Sequence, residues 1–261
     1  MNILVLMRMV PDVVEELEVA ADGKSLDTEF LRMIVSESDD HALEEALLLK
    51  ERYGGKVTVV ALDAPELDDA LFSALAKGAD RVLKIVGVEG RPTTAEAAKI
   101  LSEAMRGVGG LMPADLILAG TQAIDDLDGL IAPLVSHHLG LPFVGIVTTV
   151  VVDSATNVVT ATREFPNSVR GEFEAPLPAV LGIQAAEKPP RYVPVAKVRA
   201  VMKSAKLETA PVPELAGDGA PFTEVLRMAK PVSAGHAEMI GGTAEEAAEK
   251  ICEILAAAGR L

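Results

Sequence analysis

The chain of 261 residues contains no tryptophan, two tyrosines and six phenylalanines, so few aromatic rings are available to stack on a coloured cofactor. Its single cysteine, Cys252, excludes an internal disulfide and any multi-cysteine zinc or iron–sulfur site. A reducing compartment, the cytoplasm, is the expected setting. Cations are in short supply: 24 Lys and Arg stand against 39 Asp and Glu, for a formal charge of −15. Such a surface argues against nucleic acid or an anionic membrane as the main partner. No apolar run approaches the roughly 20 residues that span a bilayer. The opening MNILVLMRMVPD lacks a basic region and a small-residue cleavage site, and reads as a first strand rather than a targeting signal. HExxH, GxSxG and the phosphate-loop GxxxxGK[ST] are all missing, and no GxGxxG follows the first strand. The four histidines are His41, His137, His138 and His236. His137 and His138 are neighbours on a helix and point in different directions, so a nucleophilic triad is not expected.

What is present is a rhythm of strand and helix. Ile3 to Met7 is continuously apolar, as befits a strand covered on both faces. Residues 17–34 surround Asp22-Gly23 and suggest a loose hairpin or excursion. A helix is expected from Ser36 to Tyr53. Its apolar face is Ala42, Leu43, Ala46 and Leu47, with Glu44, Glu45, Lys50 and Glu51 turned to water. Val57 to Leu62 is a second strand. Asp63 and Glu66 then form a capping-box pattern before a helix carrying Leu67, Ala70, Leu71 and Ala74. Arg81 to Val86 is a third strand. Thr93 and Glu96 repeat the capping pattern before Ala97, Ile100, Leu101, Ala104 and Met105. Units of about 30 residues repeated in this way predict parallel β-α-β units.

The rhythm changes after Pro142. Val144–Val152, Val158–Phe165 and Pro178–Ile183 are β-rich, and the first two flank a hairpin loop at 153–157. The expected fold is α/β, a doubly wound, mostly parallel sheet with helices on both faces, a small antiparallel addition and a C-terminal extension. Residues 1–187 form the α/β domain. Residues 188–206 are Pro-rich and basic, either a solvated linker or an extended docking arm. Residues 207–261 are an extension, loop-like from Leu207 to His236. Thr243 then caps a helix whose Ala247, Ile251, Ile254 and Leu255 form an apolar face for a partner subunit.

The stretch from Ala114 to Pro133, ADLILAGTQAIDDLDGLIAP, carries the best candidate site. An apolar strand ends at Gly120, a polar turn follows, and helical periodicity resumes at Leu127, Leu130, Ile131, Leu134 and Val135. In open α/β sheets, ligands bind at the carboxyl ends of strands, and a helix start favours a phosphate. The turn is therefore an adenine-nucleotide site, or Asp125 and Asp126 are simply helix caps. An acidic pair suits base or sugar better than phosphate. Arg163-Glu164 is either a surface salt bridge or a cation aimed at a cofactor or partner.

Together these stretches resemble the β subunit of electron transfer flavoproteins. The likeness runs through Met1-Asn2-Ile3-Leu4-Val5, Arg8-Met9-Val10-Pro11-Asp12, Ala42-Leu43-Glu44-Glu45-Ala46 and Ala76-Lys77-Gly78-Ala79-Asp80-Arg81. It continues through Gly120-Thr121-Gln122-Ala123-Ile124-Asp125-Asp126, Thr162-Arg163-Glu164, Leu177-Pro178-Ala179-Val180 and Pro190-Arg191-Tyr192. The resemblance implies a heterodimer with an α subunit that holds most of the FAD site, and a carrier without catalytic residues of its own. It implies electrons passing from flavin dehydrogenases, such as acyl-CoA dehydrogenases, towards a quinone reductase. It also implies AMP, or a second FAD in electron-bifurcating members, bound in the β subunit. The residues so implied are Met9, Val10 and Asp12 after the first strand, and Ser36 and Asp39 at the first helix. Gly120, Gln122, Ala123, Ile124, Asp125 and Asp126 complete the set. Arg191, Tyr192, Val195 and Lys197 match the segment that docks on dehydrogenases, with Val195 where the family often has leucine.

Three departures from the pattern stand out. Ser36-Glu37 replaces Asn-Pro. Leu127-Asp128-Gly129-Leu130 replaces a stretch rich in hydroxyl and amide groups, and Asp128 is electrostatically unfavourable beside a phosphate. The usual lysine cluster is thinned to Lys203 and Lys206. Two other readings exist. A nucleotide hydrolase or ATP pyrophosphatase would need a Gly/Ser-rich loop, which Met9-Val10-Pro11-Asp12 does not supply. A non-redox interaction protein lacking its nucleotide is the other.

Overall fold

A computed structural model describes residues 1–88, 90–214, 224–231, 237 and 239–260. The chain begins with β1 (Asn2–Met7), β2 (Met9–Pro11), β3 (Met33–Val35), α1 (Glu37–Tyr53), β4 (Lys56–Leu62), α2 (Leu67–Lys77), β5 (Arg81–Val86) and α3 (Thr94–Gly107). It continues with β6 (Leu116–Gly120), α4 (Ile131–Leu139), β7 (Phe143–Asp153), β8 (Val158–Phe165), β9 (Val169–Pro176), β10 (Ala179–Ile183), α5 (Val195–Ser204), β11 (Glu208–Pro211) and α6 (Ala244–Ala257). Among the described residues, nine strands form one sheet in the order β11-β5-β4-β1-β6-β10-β7-β8-β9. The strands from β11 to β7 pair in parallel, while β8 and β9 add antiparallel. This is the expected doubly wound architecture.

Alternation along β1 explains the layers. Ile3, Val5 and Met7 pack with Leu43, Leu47 and Leu71 from α1 and α2 on one face. Leu4 and Leu6 pack with Leu101, Met105 and Ile131 from α3 and α4 on the other. A strand covered on both sides has no polar face, which is why its sequence is apolar throughout. From β1 the chain winds outwards through β4 and β5, then returns across β1 to β6. The reversal opens a crevice at the carboxyl ends of β1 and β6, the usual ligand position in such sheets.

Several local expectations are corrected. Glu44 and Glu45 do not face water: they are 3% and 1% exposed, because residues 186–191 cross that flank of α1 and use both carboxylates. The Asp63–Glu66 capping box does not form. Asp63 turns to Lys84, and Glu66 takes a left-handed backbone (φ 56°) with its carboxylate accepting the Met33 N–H. The capping boxes at Thr93 and Thr243 do form. The helix after β6 starts at Ile131, eleven residues beyond Gly120, so Leu127 belongs to a loop and is 89% exposed. Residues 17–34 are the expected excursion, with an antiparallel bridge, Val19–Leu26, around Asp22-Gly23 and with β3 at its end pairing back on β2.

The basic segment is not extended throughout, since Val195–Ser204 is helix α5, packed beside α2. Nor is the region after Leu207 entirely loop: Glu208–Pro211 extends the sheet alongside β5. His236 and Pro221 lie outside the described residues. Strand β9 was not expected. Its Arg170, Glu172 and Glu174 alternate with Val169, Gly171, Phe173 and Ala175 at the sheet edge, where charge discourages edge-to-edge pairing. α6 keeps its apolar face uncovered among the described residues, with Ile251, Ile254 and Leu255 exposed. No described helix is long and apolar enough to cross a membrane.

Candidate functional site

A cavity of about 620 Å³ opens at the topological switch point. Of the residues singled out in the sequence, Val10, Ser36, Gln122, Ala123, Ile124 and Asp126 line it. Glu37, Ser38 and His41 from the start of α1, Thr121, and Gln184 after β10 also contribute. β2 and the turn after it supply the apolar side with Pro11 and Val13. Its volume and mixed lining are those of a small-molecule site.

The other expected residues build the site rather than line it. Asp39 is completely buried. Its Oδ1 accepts the Gly120 N–H at 2.7 Å, and its Oδ2 accepts both the Arg8 backbone N–H at 2.9 Å and Arg8 Nε at 3.0 Å. Gly120 is required here for space. A Cβ would lie 2.2 Å from Ser38 Oγ and 2.7 Å from the Asp39 backbone nitrogen, so only glycine lets β6 end against α1. Asp12 caps its own turn by accepting the Val14 N–H at 3.1 Å. Met9 sits in β2 against the core. Asp125 pairs with Arg91.

Arg8 joins the two halves of the crevice. From between β1 and β2 it reaches Asp39 on α1 and, through Nη1 at 3.0 Å, Asp126 on the loop after β6. Burial alone would lower its pKa, but the two carboxylates outweigh that and hold it raised. Asp126 is surrounded by donors. Its Oδ1 accepts the Asp128 and Gly129 N–H groups at 3.1 and 3.0 Å, and Asp128 Oδ1 accepts the Leu130 N–H at 3.3 Å. Burial would raise Asp126, yet hydrogen bonds from Asp128 and the two amides, with Arg8, keep its carboxyl below the usual range. Asp128 is pushed up, by burial first and then by its hydrogen bond to Asp126. Of the two neighbouring acids, Asp126 is the one whose ionised form is favoured, and Asp128 the one whose ionisation is opposed.

Arg8, His41 and Gln184 escape a motif-based choice of site residues, whereas Glu37 and Ser38 fall inside the stretch from Ser36 to Asp39. Arg8 stands beside a chosen position, whereas Gln184, just after β10, arrives from a segment distant in sequence.

A second constellation lies further along α1. Glu44 accepts the Arg191 backbone N–H at 2.9 Å and holds its guanidinium through Nε and Nη2, while Glu51 takes Nη1 at 2.7 Å. Burial would raise Glu44, but the Arg191 hydrogen bonds and charge keep it low. Glu45 is pushed up by burial, although the Glu187 N–H bonds its Oε2; its Oε1 has no hydrogen-bond partner among the described residues. His41 Nδ1 accepts the Ala186 N–H at 3.1 Å. Thus Arg191 is engaged in a clamp, while Tyr192 (83% exposed), Val195 and Lys197 face outwards. Arg163 and Glu164 do not pair with each other. Arg163 lies over the Phe165 and Phe173 rings at 5.2 and 5.8 Å, and Glu164 pairs with Arg170 at 3.1 Å.

Fold and crevice together define an open, doubly wound α/β protein with a ligand-sized cavity at its switch point. Comparison with known proteins narrows the class. The family model described as "Electron transfer flavoprotein domain" matches residues 26–215. The electron transfer flavoprotein subunit beta of Methylophilus methylotrophus is 30% identical over 270 aligned positions, covering 98% of each chain. That of Clostridium acetobutylicum is 34% identical over 213 positions, covering 80% of this chain and 79% of its own. The chain belongs to the electron transfer flavoprotein β-subunit family.

Proposed function

We propose that this chain pairs with an α subunit and helps it carry electrons from flavin dehydrogenases, such as acyl-CoA dehydrogenases, towards a quinone reductase. FAD is held mostly by the α subunit and supplies the redox chemistry, while the protein around it supplies orientation and electrostatics. No bond-making role is assigned to side chains of this chain. The apolar face of α6 suits burial against the partner subunit. Tyr192, Val195 and Lys197, presented by the clamped segment, suit contact with a dehydrogenase. A reducing, cytoplasmic setting agrees with the lone Cys252.

The observation that carries the reading is the cavity between the β1 and β6 loops in a chain of this family. We assign the adenine end of a nucleotide, AMP or a second FAD, to this cavity. The fit is uneven. Ser36, Ser38 and Gln122 offer polar edges beside the apolar Val10 and Ile124, as a base and ribose require. Glu37 and Asp126 also line the cavity, with no Lys or Arg among its described lining, so it suits the base and ribose better than the phosphate.

Co-expression with a candidate α subunit, followed by size-exclusion chromatography and an absorption spectrum, tests the function. A heterodimer with flavin absorbance is expected. A stable heterodimer without it would refute the electron-carrying role.

A further inference from the structure

We propose that the loop after β6 carries its own anion, and that the cavity selects an uncharged adenosine-type nucleoside over its phosphorylated forms. The inference rests on assigning the adenine end of a ligand to this cavity, and it concerns the class of ligand accepted there.

On the loop after β6, the donors best placed to hold an anion are already committed to carboxylates of the chain. The Asp128 and Gly129 amides bond Asp126 Oδ1, and the Leu130 amide bonds Asp128 Oδ1. Arg8, bonded to Asp126 of the lining, divides its guanidinium between Asp39 and Asp126. Arg91 is paired with Asp125. Gln122 donates to the Asp126 carbonyl oxygen at 2.6 Å, which ties the loop into a closed ring. The loop thus holds the arrangement that helix starts and amide nests offer to bound anions, with Asp126 as the occupant.

The remaining lining repels negative charge and accepts neutral polar groups. Glu37 and Asp126 bring carboxylates, and His41 Nδ1 is taken by the Ala186 amide. Ser36 and Ser38 offer hydroxyls suited to ribose or the edge of a base. Arg8 compensates Asp126, which leaves Glu37 as the acid of the described lining without an ion pair, and with no Lys or Arg in that lining its charge favours a neutral ligand.

The test is calorimetric titration of the full chain with adenosine and with AMP at neutral pH and moderate salt. Adenosine is expected to bind at least about tenfold more tightly than AMP. A double variant, Glu37→Gln with Asp128→Asn, leaves the Arg8–Asp39–Asp126 bridge in place and should narrow the ratio by improving AMP. Circular dichroism checks that the variant is folded, and Glu37→Gln alone provides the same comparison if the double variant is not. AMP binding as tightly as adenosine, a ratio unmoved in the folded variant, or no binding of either at millimolar concentration would overturn the proposal. The electron-carrying reading depends on flavin absorbance of the heterodimer, so the two can fail independently.

Discussion

Replacing Glu44 with glutamine tests whether the clamp on α1 is a structural linchpin or a surface ion pair. Glu44 is nearly buried and satisfies the Arg191 backbone amide together with two guanidinium nitrogens. Removing one member of a buried pair costs about 3–5 kcal/mol, because the other is left uncompensated. The Arg191 side chain is 29% exposed and retains Glu51, so the lower end of that range, about 3 kcal/mol, is expected. This is a large fraction of a total stability of about 5–15 kcal/mol. Urea unfolding followed by circular dichroism reads the loss as a lower midpoint, and hydrogen exchange at the Arg191 amide reads its local part. The pH dependence provides an independent check. Glu44 is held below its ordinary value of 4.5, so its contribution is complete above the unfolded pKa and fades as pH falls through the folded one. Wild type and Glu44→Gln should therefore converge in acid. A loss under about 0.5 kcal/mol at neutral pH, the worth of an exposed pair, would refute the clamp.

Three further outcomes follow from the same geometry. Glu45→Gln should raise the melting temperature at neutral pH, because burial pushes the Glu45 carboxyl up and folding then opposes its ionisation; the advantage should vanish in acid, where glutamate itself is protonated. Gly120→Ala should destabilise by about 1–3 kcal/mol or more in urea titrations, because its Cβ would press on the Asp39 backbone and Ser38. Arg8→Met should cost about 3–5 kcal/mol in the same assay by stranding the buried Asp39 charge, and a loss as small as that of a surface substitution would count against the bridge.

Much of this protein is local in origin. The apolar runs of β1, β4 and β6 and the stripes of α2 and α3 are dictated by burial on both faces of a parallel sheet, and hydrophobic periodicity alone shows them. The Thr93 and Thr243 capping boxes are likewise set by residues three apart. The position of the crevice follows from strand order, and Gly120 to Asp126 marks it. The fates of the glutamates on α1 are non-local. Glu44 and Glu45 read as a wet face until residues 186–191, more than 140 positions on, cover them. β9 alternates charge with apolar residues, so the strand signal exists, but its charged face becomes intelligible only as a sheet edge. In the candidate site, spacing could not separate caps from ligand contacts. Asp125 and Asp126 cap no helix, since the helix starts later, and Arg8 reaches Asp126 from 118 positions earlier in the chain. Sequence alone determined which segments had to be strands and helices, because periodicity is a property of neighbours. Which charges ended up buried, paired or facing the cavity was decided by the tertiary structure, because a carboxylate's state depends on the donors that distant segments bring to it.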